Sequence, residues 1–442
     1  MKLNTPVVAI LTAIALATGG CSIFSKSKPT TPVLGERISV LSTESDVSVD
    51  PATAALPMSL PAPVANADWT QSGGNAAKAM GHVALAPSIS QAWTASIGQG
   101  TTLASRLAAS PIVANGRIYA IDTRATVSAY DARTGASVWR TQFGTVKGNE
   151  EALFGGGIAF ANGRIYATNG LGFVAALDAS NGGIVWQVRP GGPLRGSPTA
   201  AGDALYVMSQ DNQIYSLKLE DGSTNWSQAA SLEIAGVFGV ASPAFARGTI
   251  VAGFSSGELN AYRYENGRIV WQDALARTSI RTSVSSLSDI DADPVIDNGQ
   301  VIAIGQGGRM VALELNSGQR QWELNLAGIA TPWVAGDWVF VVTSDAKLIA
   351  IARNNGKVRW ITQLPQFRHA KSKSGPIGYY GPILAGNRLV VASSGGALIF
   401  VDPTAGGVLG QSNVGSRISL PPVVAGSTLY LLDDQAQLHA FR

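Results

Sequence analysis

An all-β chain folded as an eight-bladed β-propeller with four-stranded antiparallel blades is predicted by three observations. A glycine recurs at 116, 163, 202, 248, 299, 336, 386 and 426, with neighbouring copies 37 to 51 residues apart. A second glycine stands four residues ahead of a tryptophan in unit after unit. A tryptophan-bearing segment, Gln91-Ala-Trp93-Thr-Ala95, precedes the first unit, while the last unit stops short of its own tryptophan half. The repeat length is that of one four-stranded blade.

Each half of the unit reads as a pair of strands. In the first, Pro111-Ile-Val-Ala-Asn-Gly116-Arg-Ile-Tyr119 places a tight turn between β-branched and aromatic residues. In the second, Gly135, Gly182, Gly222, Gly267, Gly318 and Gly356 precede Trp139, Trp186, Trp226, Trp271, Trp322 and Trp360. Glycine accepts the positive φ that such a hairpin turn demands. The outer strand begins at that turn, so the fourth residue along it is expected to lay its indole between one blade and the next. Large aromatics buried there would bind the blades into a ring. In the seventh unit Gly406 keeps its place, but Gly410 stands where tryptophan is expected. Trp93 then supplies the outer strand that the final unit lacks, and its strand closes the ring. Seven in-chain units and one shared between the two ends make eight. Trp333 and Trp338 fall outside the glycine-to-tryptophan step and are the aromatics whose exposure needs testing.

Composition agrees with short strands and tight turns. Of 442 residues, 46% are hydrophobic and only 14% charged, with 50 glycines and 21 prolines. The net charge of +3 is spread without basic runs, which gives no electrostatic footprint for nucleic acid.

The first twenty residues read as a signal peptide: Lys2 supplies the positive start, and Val7 to Ala17 an apolar stretch too short to span a bilayer. The single cysteine, Cys21, follows Thr18-Gly19-Gly20. Small residues ahead of a lone cysteine resemble the bacterial lipobox, which implies lipidation of Cys21; Thr18 departs from the usual leucine, and cleavage elsewhere stays open. Ser22, instead of aspartate, favours the outer membrane. Residues 21–66 are rich in Ser, Thr, Pro and Ala and read as a flexible tether, because they bury too little apolar surface to offset ordering. Within that stretch, Arg37-Ile-Ser-Val-Leu41 is a short apolar patch. The propeller is expected over 67–442.

The second-half pattern, Ala129-Tyr-Asp131-Ala-Arg-Thr134-Gly135-Ala-Ser-Val-Trp139, resembles the tryptophan-docking motif of the pyrroloquinoline-quinone (PQQ) propeller repeat family. The likeness spans roughly 68–442 and implies the fold; it is shared by quinoprotein dehydrogenases, sensor propellers and assembly lipoproteins. Dehydrogenases of this type usually use a calcium site, a catalytic carboxylate and often a vicinal disulfide. One cysteine cannot form a disulfide, and His82, His369 and His439 stand far apart. The lipobox and tether resemble instead the propeller lipoproteins of the outer-membrane β-barrel assembly (BAM) machinery. That resemblance implies a non-catalytic scaffold without a cofactor, lipid-anchored on the periplasmic face of the outer membrane. Its implied partners are the barrel insertase BamA, other subunits of the complex and nascent β-barrel proteins. Pro193-Leu194-Arg195-Gly196 resembles the family's Leu-Arg-Gly loop, and Leu287-Ser-Asp289-Ile-Asp291 its Leu-Ser-Asp-x-Asp segment. In the family these loops lie on adjacent blades, so the resemblance assigns insertase contact to Leu194, Arg195, Asp289 and Asp291. An arginine beside an apolar anchor suits an interface. A structural ion pair between Arg195 and Asp289 or Asp291 fits the same residues, and both readings stand.

Other chemistries find little support. Asp289-x-Asp291-x-Asp293 is not an EF-hand loop, because Pro294 and Gln300 occupy the places that need Gly and Glu. Gly305-Gln-Gly-Gly308 has no Lys-Ser/Thr after it and reads as a turn. Gly253-Phe-Ser255-Ser-Gly257 has the letters of a Gly-x-Ser-x-Gly elbow, but no histidine stands in a recognisable nucleophile motif, so hydrolase chemistry finds no support. A quinone-dependent dehydrogenase or a ligand-sensing propeller remains the alternative function. Phe367 to Gly375 is an insertion of mixed polarity between blades six and seven, either a partner loop or a solvated connection.

Overall fold

A computed structural model describes residues 47–194, 196–232, 241–275 and 288–442. Cys21, the signal segment, residues 22–46 and Arg195 lie outside the described residues. Within the described chain, eight four-stranded sheets run in simple sequential order. Blade one consists of Ile112–Ala114, Arg117–Ile121, Thr126–Asp131 and Ser137–Gln142. Blades two to seven repeat this plan, ending on outer strands Ile184–Val188, Thr224–Ala229, Ile269–Ala274, Arg320–Leu324, Val358–Gln363 and Val408–Asn413. Blade eight joins the two ends of the sequence: Gln91–Ser96 pairs antiparallel with Gln437–Phe441, Trp93 opposite Ala440 and Ala95 opposite Leu438. Ser90 and Arg442 exchange backbone hydrogen bonds of 2.6 and 2.9 Å just outside that ladder. The expected closure is therefore found.

The hydrophobic core is distributed between blades. Ile121, Val127 and Phe143 of blade one pack with Leu153, Ile165 and Leu177 of blade two, and comparable clusters fill the later junctions. At seven of the eight junctions the indole of one blade covers the glycine of the next blade's outer turn. A Cβ added to Gly318 would lie 2.6 Å from Trp271 Cγ, and Gly182 stands in the same relation to Trp139. At six of these junctions the indole N–H then donates to a carbonyl at or near that turn, as from Trp139 to Ala179 at 3.0 Å, Trp271 to Leu315 at 2.7 Å and Trp360 to Pro403 at 3.0 Å. The fixed step thus combines a buried aromatic, a glycine that admits it, and a satisfied donor.

Closure also accounts for the missing tryptophan. Blade eight has no outer hairpin turn, because its third strand ends at Phe441 and its outer strand begins at Gln91. No turn glycine exists there for an indole from blade seven to cover, and a Cβ on Gly410 would meet open space. Gly410 has no positive φ, so Gly410→Thr is expected to stabilise the strand by about 0.5–1 kcal/mol. A higher midpoint in denaturant at unchanged slope checks this.

Trp333 and Trp338 are buried. Trp333 stacks on Trp69 with ring centres 6.0 Å apart, and Arg359 covers Trp338 at 5.4 Å. The insertion after blade six forms a small hairpin, Phe367–His369 with Ser374–Pro376. Residues 47–66, assigned above to the tether, follow the propeller as far as they are described. Asp50 caps the helix Pro51–Ala55 through Thr53 N–H at 2.8 Å, and Asp50 N–H donates to Val358 at 2.9 Å.

Candidate interaction face

The loops that carry the chain from one blade's outer strand to the next blade's inner strand lie on one face. Two of them hold the residues singled out above, in equivalent settings. Leu194 N–H donates to Asn169 at 3.2 Å, and the Pro193 carbonyl accepts from Gln210 at 2.8 Å. Ile290 N–H donates to Phe254 at 3.2 Å, and the Asp289 carbonyl accepts from Gln306 at 2.8 Å. Each pair wedges between turns of neighbouring blades, so each loop is held by backbone before any side chain acts.

That wedge decides what is accessible. Leu194 is fully buried among Tyr166, Leu205 and Tyr215. Asp289 is 1% exposed, whereas Asp291 is partly exposed and lines a bowl on the propeller axis. The expectation that the two loops lie on adjacent blades needs correction. Leu194 sits at the junction of blades two and three, and Asp289 and Asp291 at that of blades four and five. The connection between blades three and four lies between them, and its residues 233–240 are outside the described residues. The repeat spacing carries the same answer, since Leu194 precedes the unit at Gly202 and Asp289 the unit at Gly299, with the unit at Gly248 between them.

The bowl has a volume of about 350 Å³. One side is aromatic and proline-rich, with Tyr380, Pro382, Pro421 and Pro422; the other carries Ser197, Ser242, Thr331 and Asp291. Its floor is Trp69, Gln71, Ser72 and Gly73, which come from the chain ahead of the first blade. Sequence reasoning missed this floor. The available signals were Trp69, outside the repeat step, and the cluster Gly73, Gly74 and Gly81, all with positive φ.

Beneath the floor lies a buried polar group. Asp293 accepts from Ser72 Oγ at 2.5 Å and from Ser242 N–H at 2.7 Å. Lys78 is 2% exposed, and its Nζ donates to Thr199 Oγ1 at 3.1 Å. Burial pushes the Lys78 ammonium down to about 8, with the Asp293 charge opposing that shift. His82 is also buried: its Nε2 accepts from Asn387 N–H at 3.0 Å, which leaves Nδ1 to donate to the Pro61 carbonyl at 2.7 Å. Among the described residues no group of three or more His, Cys, Asp or Glu side chains is arranged to hold a metal ion. Each of these polar groups has hydrogen-bond partners of its own, an arrangement that builds structure.

Comparison with known proteins gives this face its context. The family model described as outer membrane protein assembly factor BamB matches residues 123–362. The BamB of Alkalilimnicola ehrlichii is 30% identical over 351 residues, covering 79% of this chain and 87% of that protein. The BamB of Escherichia coli K12 is 28% identical over 385 residues, covering 77% and 85%. The crystal structure of BamB from Moraxella catarrhalis superimposes with a TM-score of 0.68 at 18% identity, over 80% of this chain and all of that one. A europium-containing methanol dehydrogenase reaches the same TM-score at 14% identity, over 85% and 98%, which is a likeness of fold alone. The repeat, the closure of the ring and these matches together place the chain in the BamB family of outer membrane protein assembly factors, which are not enzymes.

Proposed function

We propose that the chain is a lipid-anchored periplasmic scaffold that binds the BamA-type barrel insertase and aids insertion of nascent outer-membrane β-barrel proteins. The observation that carries the reading is the match to relatives named as assembly factors, which extends over nearly the whole propeller. Contact is assigned to the face that carries the junction loops, whose backbone at 193–194 and 289–290 is bonded to turns of the neighbouring blades. Pre-ordered loops lose little entropy on association, which favours a specific contact of modest area. Of the acidic residues that the resemblance assigns, Asp291 is the accessible one, and Arg195 is the assigned cation. Leu194 supports the loop from inside.

Asp291→Ala is expected to lower co-purification of the insertase from solubilised outer membrane by roughly tenfold, the effect of one interface hot spot. The thermal midpoint of the variant, measured alongside, separates a lost contact from a loosened loop. Leu194→Ala should instead lose about 2 kcal/mol of stability, because it opens a cavity between blades two and three. Full recovery of the insertase with Asp291→Ala and Arg195→Ala together would remove the proposed contact.

A further inference from the structure

The floor of the bowl belongs to a segment that travels once round the propeller axis and touches every blade in turn. Asn66 O accepts from Gly426 N–H of blade eight at 2.7 Å. Trp69 and Val113 of blade one exchange bonds of 2.7 and 2.8 Å. Thr70 O accepts from Phe160 of blade two at 2.7 Å, and Gln71 Oε1 from Ala200 N–H of blade three at 3.0 Å. Ala76 and Ala77 accept from Phe245 and Ile296 of blades four and five, both at 2.8 Å. Gly81 O accepts from the Trp333 indole of blade six at 2.7 Å, and Val83 N–H donates to Leu384 of blade seven at 3.1 Å. Val64 then pairs with Val83, so the circuit closes on itself.

The innermost strand of a blade presents one hydrogen-bonding edge to the axis, which would otherwise lack a strand partner. The circuit occupies those edges, and it buries Trp69, Lys78 and His82. It enters the chain ahead of the ring-closing strand Gln91–Ser96, which is held by a single ladder to Gln437–Phe441. We propose that residues 64–87 are the joint by which an anchored N-terminus holds the propeller, so that attachment does not depend on the closing strand. The proposal rests on the reading that Cys21 carries the lipid anchor.

Between circuit and closing strand, Ser88 is exposed. A protease recognition sequence placed at Ser88 of the full chain lets the covalent link be cut in isolated outer membranes. The expected result is that the cut propeller sediments with the membranes, held by its N-terminal fragment. Release of a folded propeller on cutting would overturn the proposal.

Gly74→Leu should speed that release about tenfold, the effect of a loss of roughly 1.4 kcal/mol of binding. A Cβ there would lie 2.4 Å from Met80 Cγ. Gln71→Ala removes two side-chain bonds to Ala200 without touching the circuit's backbone; it is the milder variant, expected to speed release severalfold. Gly163→Asn, in a turn of blade two outside the circuit where a Cβ meets open space, should leave retention unchanged. Release as slow from Gly74→Leu and Gln71→Ala as from the parent would assign the hold elsewhere. Uncut protein found free of membrane would sink the anchor reading, and the proposed joint with it. Gel filtration of the cut chain then still shows separately whether the circuit binds the ring.

Discussion

Replacing Trp271 by alanine is expected to destabilise the protein by roughly 3–5 kcal/mol, the usual cost of emptying a buried aromatic site. The indole lies at the junction of blades four and five. It covers Gly318, and its N–H is satisfied by the Leu315 carbonyl at 2.7 Å. Alanine removes the packing and leaves a cavity between two sheets that cannot approach without disturbing the ring. Thermal or urea unfolding checks the magnitude. Gly318→Ala should fail for the complementary reason, since φ is +70° and the added carbon meets the ring. Trp93→Ala, at the closing junction, should cost less. Among the described residues its indole N–H finds no acceptor, and the equivalent carbonyl, Ala132, already accepts from Tyr430 at 3.1 Å and Arg442 at 3.0 Å. Since Trp93 covers Gly135 as Trp271 covers Gly318, equal losses at 93 and 271 would show that the indole hydrogen bond contributes little.

Lys78→Met is expected to stabilise the protein near neutral pH by about 1–3 kcal/mol, an effect that fades as pH rises. A shift of the ammonium from 10.5 to about 8 corresponds to about 3 kcal/mol at the usual conversion. Loss of the bond to Thr199 offsets part of that gain. Below pH 8 both folded and unfolded chains hold the proton, and the whole cost of burying the charge is present. Between about pH 8 and 10.5 the unfolded chain holds more protons than the folded one, so the parent gains stability with pH. Methionine lacks that dependence. Calorimetry of both proteins at pH 7 and pH 9.5 should show the gap in midpoint closing; a gap that stays constant would mean that the ammonium is not desolvated.

The architecture was legible in the sequence because a propeller is a local repeat. Each Gly-x-x-x-Trp step encodes a turn, an outer strand and an inter-blade contact within one unit, and Trp93 marked the shared blade through the same code. Gly410 could be seen as a departure but not understood, since its reason lies in blade eight, formed from opposite ends of the chain. Access to the candidate face was not legible either. Leu194 and Arg195 are neighbours in sequence, yet Leu194 is sealed between blades, while Asp291 reaches the bowl and Asp289, two residues earlier, does not.

The sequence by itself determined the eight blades and their closure, because periodic glycines and aromatics act over a few residues. Only the tertiary structure decided what fills the axis. Residues 64–87 have no repeat of their own, and their polar and aromatic groups take meaning from partners on all eight blades. Backbone edges that point at an axis attract any segment able to satisfy them, and no periodicity in that segment announces the fit.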